Sequence, residues 1–457
     1  MALHWQGKYY GEIVAEGNWQ EEYQRKLIAP DEAARLVKSG DSVACTTGRD
    51  PLAIGLALAA RKEELEGVKL FLPTPTFDFG WYDRGWEDSF SIQIGYNFPR
   101  GVAAECLAER RADYVVGGLL LWMELPETKQ VDVLLTEISP PDENGFCSFG
   151  ASLYDKRRWI AHAKLVIAEV NDRLIRTYGD NFVHVSQIDY FVEHPHSGRK
   201  PGAVTLAGQP IKEVPPETKR IAEYVSTLIN SGDTLQIGQG GTSEGLVRAG
   251  LLEGKEDLGW HSEVTPGGII RFVRERLITG KHKTIDRGKA VATAIGGGAE
   301  EDMAFVHMNP LFELRDIEYT HHPAVICSLD NMVAINNALE VDLTGQVGAE
   351  SMGYQIFSGA GGLLTFAVGA NLSRGGRFVI VLPSTARGGT VSRIVPMLKE
   401  GTVVTVPRIL ADSVVTEYGI ARLKGKSQRE RAEELIAIAH PDFRGELRTA
   451  AQRIYWP

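Results

Sequence analysis

The chain repeats a pattern with itself. "LVKSGDSVACTTGRDPLAIGLALAA" begins at Leu36, and "LINSGDTLQIGQGGTSEGLVRAGLL" begins at Leu228. Each reads as a helix ending at Ser-Gly-Asp, a short strand, a glycine-containing turn and a second helix start, with Gly40-Asp41 matching Gly232-Asp233. Chance could produce one such match, but a duplication predicts two α/β halves of similar design facing each other. A cleft would then lie outside the carboxyl ends of their strands.

The rest of the chain supports that layout. "DSVACT", "VKLFLP", "VDVLLTEI", "AKLVIAEV" and "IDYFVE" read as strands in the first part, and "TLQIG", "AVATAIGG", "AVICSL", "FVIVLP" and "TVVTVP" in the second. "PDEAARLVKSG", "PLAIGLALAARKEELEG", "PPETKRIAEYVSTLINSG" and "VPMLKEG" read as helices, the first two with Pro near the start and Gly past the end. Alternating buried strands and helices predict a largely parallel α/β architecture. At 457 residues there is material for two domains. The Pro-, Gly- and Lys-rich stretch 194–217 marks the boundary, giving domains 1–215 and 216–457.

Composition narrows the function. A hydrophobic share of 43% and no apolar run approaching the ~18–20 residues of a membrane helix predict a globular chain off the membrane. A net charge of −10 argues against nucleic acid or an anionic membrane surface as partner. Four scattered cysteines with no metal-type spacing, and no basic-then-apolar leader, lead us to expect a reduced, cytoplasmic protein without a metal.

Several glycine-rich turns could meet a ligand. "GQGGTSEG" (238–245) follows a strand and opens a helix, which suits a diphosphate on exposed N–H groups; a plain tight turn is the other reading. Its spacing lacks G-x-G-x-x-G, so a dinucleotide is poorly supported. "SGAGGLLTF" (358–366) is dense enough in glycine to be approached closely, by a ligand or by another strand. Ser384, Arg387 and Arg393 in "STARGGTVSRIVP" form either an anion clamp or a solvated loop. "SPPDENGFCSFG" (139–150) reads as turn chemistry, and the aromatic "TFDFGWYDRGW" (76–86) more as core than as an acyl wall. "LGWHSEVTPGG" (258–268) reads as a loop, and its Glu263 as a solvated carboxylate unless something else singles it out.

"GWHSEVTPGG", "NALEVDLTGQVGAES", "SGAGG" and "PSTARGGTVSRIVP" resemble the acetyl-CoA hydrolase/transferase family, most of all its 4-hydroxybutyrate/butyrate CoA-transferase branch. "SPPDENGFCSFG", "AKLVIAEVN" and the tail from "VVTEYGIARLKGKSQ" extend the likeness over nearly the whole chain. The resemblance implies two similar open α/β domains with the active site between them and a homodimer as the assembly. The substrates it implies are acyl-CoA and a carboxylate, with no permanently bound cofactor. It maps the nucleophilic glutamate onto Glu263, the CoA-binding turn onto Gly238, Gly240 and Gly241, and the mobile glycine loop onto Gly359, Gly361 and Gly362. Arg387 joins them as a CoA contact; Thr47, Gly48 and Pro51 fall on the acyl and oxyanion side. The implied reaction is ping-pong transfer through an acyl-glutamyl anhydride and a glutamyl-CoA thioester, with hydrolysis by the same site as the alternative. The likeness breaks at two points. His321 stands in "YTHHPAV" where many relatives carry an intermediate-orienting asparagine, and Trp260 is bulkier than the aliphatic residue expected beside the nucleophile. Both are expected to bear on which acid fits.

Overall fold

The computed structural model describes residues 18–95, 99–117, 119, 129–194, 213–297 and 299–456. Two sheets carry the fold. The first has seven parallel strands in the order Tyr190–Glu193, Leu165–Val170, Val133–Ile138, Ser42–Cys45, Val68–Leu72, Phe90–Ile94, Ala112–Tyr114. The second has nine strands. From one edge it runs Gly419–Arg422, Ser413–Thr416, Arg377–Val381, Met332–Asn337, Thr234–Ile237, Gly259–His261, Ala290–Ala292, Phe312–Leu314, Tyr178–Gly179. Only the Gly419–Arg422 edge pairs antiparallel. Tyr178–Gly179 comes from the first part of the chain yet closes the second sheet, parallel to Phe312–Leu314.

Strand alternation distributes the core. Val43, Cys45, Leu70 and Leu72 bury into one cluster, while Ala44, Phe71 and Leu134 turn the other way. Leu235, Ile237, Val333 and Ile335 join this second group, and Met332, Ala334, Phe378 and Ile380 face a third. The inner faces of both sheets therefore share one continuous core, with a separate apolar layer outside each.

The repeat seen in the sequence is a repeat of hydrogen bonds. Asp41 accepts the Lys38 N–H at 2.7 Å, and Asp233 accepts the Asn230 N–H at 2.6 Å. Gly40 (φ +82°) donates to Glu66 O, and Gly232 (φ +84°) donates to Glu256 O, both at 2.9 Å. Ser39 and Ser231 hydroxyls each accept a backbone N–H at 3.0 Å, from Glu66 and Glu256. Each turn feeds a central strand flanked by two parallel neighbours.

Four local readings are corrected. "AVICSL" is not a strand: Pro323–Cys327 is helical, started by Pro323 and by the His322 side chain, which accepts the Ala324 N–H at 3.2 Å. "VPMLKEG" is not a helix, because Ile394–Val395 pairs with Glu340–Asp342 and the chain then turns. "TVVTVP" contributes only the isolated bridge from Val406 to Val347. "LGWHSEVTPGG" is not a loop, as described below. Met332–Asn337, a central strand of the second sheet, was missing from the expected strands. Most of the boundary stretch (195–212) lies outside the described residues.

Candidate active site

Glu263 sits at a joint between two short strands. Gly259–His261 belongs to the nine-stranded sheet, and Val264–Pro266 leaves it to pair with Ala294–Gly296. The backbone is held on both sides of the joint. Ser262 N–H donates to Val291 O at 3.1 Å, and the Thr293 and Ala294 N–H groups donate to the Glu263 carbonyl at 2.9 and 3.1 Å. The side chain keeps 20% exposure. Its Oε1 accepts the Tyr154 hydroxyl at 3.1 Å, and its Oε2 lies 3.5 Å from His321 Nε2.

His321 ends the short helix Ile317–Thr320 and is fully buried. Its Nδ1 pairs with Thr320 Oγ1 at 2.8 Å and its ring meets Phe366 edge-on at 5.3 Å, while Nε2 has no hydrogen-bond partner among the described residues. His261 donates from Nε2 to the Thr320 carbonyl at 2.9 Å. Burial, with the nearby Lys283 cation, holds His261 neutral, well below the ordinary histidine pKa.

A cavity of about 230 Å³ opens in front of Glu263, the only carboxylate among the described residues that line it. One wall is the turn Gly238–Gly241, at the carboxyl end of Thr234–Ile237. Another comprises Asn336, Asn337 and Ala338, at the end of the adjacent strand. The order of strands reverses here, which is where open α/β sheets take ligands. Asn337 fixes the turn, donating to Gln239 O at 3.1 Å and accepting the Ser243 N–H at 3.1 Å. A Cβ on Gly240 (φ +144°) would come within 2.7 Å of Asn337 Nδ2, so only glycine fits. Helix Gly241–Arg248 begins there with no cap from its own N-cap residue Gly240; Asn337 takes the Ser243 N–H, and Gly241 and Thr242 line the cavity.

The third wall is Ser358–Leu363. A Cβ on Gly362 would meet His321 Cδ2 at 2.5 Å and Glu263 Oε2 at 3.2 Å, so the absent side chain is what lets this loop close over both residues. Gly361 O accepts the Leu119 N–H at 3.0 Å, a contact from the first part of the chain.

The structure thus brings together Glu263, His321, Gly238, Gly240, Gly241, Gly359, Gly361 and Gly362. It does not bring in every expected residue. Arg387 (φ +50°) is exposed at the tip of the hairpin between Thr385–Ala386 and Val391–Ser392; Arg393 lines the cavity instead. Trp260 is fully buried in the inter-sheet core, with Nε1 donating to Thr265 Oγ1 at 2.9 Å. Thr47, Gly48 and Pro51 are absent from the cavity wall. They sit on the first sheet's side, tied toward the joint by Ser152, which donates to Thr47 O at 3.1 Å and bridges Ala294. The aromatic stretch supplies Phe79, Trp81 and Tyr82 to the outer core of the first sheet.

Sequence spacing revealed no metal motif, yet Glu137, Glu169 and His194 converge from three separate strands and their ends. The protein already partners these groups. Glu169 accepts the N–H groups of Leu52, Ala53 and Ile54 at 3.1, 2.7 and 3.2 Å and meets His194 Nδ1 at 2.5 Å, and Glu137 accepts Asn171 Nδ2 at 2.8 Å. The cluster caps a helix. Tyr154, Asn336 and Asn337 are the neighbours that spacing did not single out as site residues. The "NNALEVD" block held a usable signal for the asparagines, but nothing in "ASLYDKRR" marks Tyr154.

Comparison with known proteins identifies the family and the fold. Residues 110–199 match the acetyl-CoA hydrolase/transferase N-terminal domain, and residues 298–451 match the corresponding C-terminal domain. The chain is 39% identical to the 4-hydroxybutyrate coenzyme A transferase of Clostridium kluyveri, covering 94% of this chain and 98% of that one. It is 34% identical to the butyryl-CoA:acetate CoA-transferase of Anaerostipes caccae, over 95% and 98%. Among solved structures, RipA from Yersinia pestis superposes with a TM-score of 0.86 at 31% identity, over 96% of this chain and 100% of that one. With both domain models matched and relatives aligned end to end, the chain belongs to the acetyl-CoA hydrolase/transferase family.

Proposed function

We propose that this protein is a CoA-transferase that moves CoA from an acyl-CoA to a short-chain carboxylate, with Glu263 as the covalent relay. The observation that carries the reading is that, among the described residues, a single carboxylate faces a glycine-walled cavity at the carboxyl ends of the second sheet's strands. Its backbone is pinned, so its side chain is aimed rather than solvated. In this reading the N–H groups at 238–241 receive the phosphates of CoA, with Arg393 supplying positive charge. Glu263 attacks the thioester to give an acyl-glutamyl anhydride and CoA thiolate. The thiolate then attacks the glutamyl carbonyl, releasing the acid and leaving a glutamyl-CoA thioester, and a second acid reverses both steps. Both intermediates are prone to hydrolysis, so the close fit of Gly361 and Gly362 against Glu263 serves to exclude water. The division into domains 1–215 and 216–457 belongs to this proposal.

The test is incubation with acetyl-CoA, with and without butyrate, measuring acyl-CoA products and free thiol. New butyryl-CoA without thiol release is expected; thiol release independent of added acid would make the protein a hydrolase. Borohydride after acyl-CoA treatment should inactivate the wild type by reducing the glutamyl thioester. Glu263→Gln should lose turnover by at least ~10³-fold, and near-normal turnover in that variant would overturn the assignment.

A further inference from the structure

We propose, resting on the transferase reading of Glu263, that Tyr154 is a further catalytic residue. Its phenol reaches from the first part of the chain to Glu263 Oε1 and stabilises the oxyanion that forms on that oxygen when sulfur or carboxylate adds to the glutamyl carbonyl.

Three observations carry this. First, the hydroxyl is 3.1 Å from Oε1, and the residue is only 6% exposed, so the hydrogen bond sits largely out of water. Second, Tyr154 has φ +48°, a left-handed backbone that is strained for a bulky side chain. That conformation is held from outside: Leu153 N–H donates to Thr293 O at 3.0 Å, and Ile317 N–H donates to Tyr154 O at 3.2 Å. Third, Thr293 also donates its own N–H to the Glu263 carbonyl at 2.9 Å. Donor and nucleophile are registered on the same residue, although they lie 109 positions apart in the chain. The strained backbone and the shared anchor serve one contact, Tyr154 to Glu263.

The contact also distinguishes the two carboxylate oxygens. Oε1 is occupied by the phenol, while Oε2 faces Gly361, Gly362 and His321. Oε2 therefore attacks the acyl carbonyl, expelling CoA thiolate and forming the anhydride. Thiolate then adds to Glu263 Cδ, and the carbonyl electron pair moves onto Oε1 against the phenol O–H. Collapse breaks Cδ–Oε2, the acid departs as its carboxylate carrying Oε2, and a thioester with Oε1 as its carbonyl oxygen remains. The phenol donates throughout and transfers no proton. Burial first, and the Glu263 charge second, push its pKa well above the ordinary tyrosine value, so it stays protonated over the working range.

The test is Tyr154→Phe in the full-length protein. The expected result is a kcat about 10²–10³-fold lower, with KM for both substrates within threefold of wild type. The single-turnover rate of glutamyl-CoA formation, read by mass, should fall by the same factor. A kcat within threefold of wild type, while Glu263→Gln is inactive, overturns the role of Tyr154 and leaves the nucleophile standing. Activity in Glu263→Gln instead overturns the transferase reading itself. Replacing Tyr154 with 2,3,5-trifluorotyrosine keeps the ring and hydroxyl in place but lowers the phenol pKa. A donor role predicts a new loss of kcat as pH rises through that pKa. A pH profile unchanged from wild type across the fluorinated phenol's own titration, followed by ultraviolet absorbance, overturns it, because a residue that merely holds the fold would leave the profile alone.

Discussion

At the level of single residues, the site depends on which side chains reach the cavity. Arg387 and Arg393 share one short glycine-rich stretch and look equivalent in the sequence. The hairpin sends Arg387 into solvent, and Arg393 lies half-buried against the cavity with Nη1 3.4 Å from Ala338 O. Arg393→Ala is therefore expected to raise KM for acyl-CoA about tenfold, as loss of one charge-assisted contact does, while Arg387→Ala stays within twofold. Steady-state kinetics on the two variants measures the difference directly. Trp260 carries the same lesson. Its place beside Glu263 in sequence leads to the expectation that it bears on which acid fits, but strand alternation turns it into the core. Acyl selectivity accordingly has to come from other residues.

At the level of elements, the junction holding Tyr154 and His321 gathers several carboxylates, of which Asp155 is buried. Ile317–Thr320 starts at Asp316, whose side chain accepts the Glu318 N–H at 2.9 Å. Burial, with Asp155, Asp180 and Glu318 nearby, raises Asp316 to about 7. An unfolded aspartate ionises near ~4. Between those values the folded chain holds a proton that the unfolded chain releases, so stability falls as pH rises, and the whole cost is present above about 7. Asp316→Asn keeps the cap but cannot ionise. It should melt a few degrees above the wild type at pH 8, and the gain should vanish toward pH 4; thermal melts across that range check it. The joint at Glu263 is also an element-scale feature. "GWHSEVTP" looked like a loop because each of its strands is three residues long and each belongs to a different sheet. Local pattern cannot distinguish a broken strand from a turn.

At the level of the whole molecule, the two turns of the repeat have separate fates. Both end a central strand in a glycine of positive φ, Gly48 at +127° and Gly240 at +144°. In the first, Glu169 fills the helix start. Glu169 pairs across its sheet with Glu137, and the matching register in the second sheet pairs Asn337 with Val381. An apolar residue there leaves helix Gly241–Arg248 without a capping carboxylate: Asn337 takes the Ser243 N–H, and the start at Gly241 and Thr242 lines the cavity. CoA should thus protect the amides of 238–241 and 358–362 from hydrogen exchange and leave those of 46–54 unchanged. Exchange measured with and without CoA tests this, and equal protection at both turns would contradict the asymmetry.

Much of this was legible in the sequence. The alternation of strands and helices, the Gly-Asp repeat and the glycine turns follow from local backbone preferences and periodicity, which act within a few residues. The family blocks singled out Glu263. Tertiary structure alone decided what surrounds that glutamate. Tyr154 arrives from 109 residues away, Arg393 replaces Arg387, Trp260 turns inward, and Glu169 closes one of two matching helix starts. The physical reason is range. Backbone conformation is set by neighbours in the chain, whereas a catalytic contact is set by cross-sheet register and by which face of a strand is buried. Neither can be read from the spacing of residues along one segment.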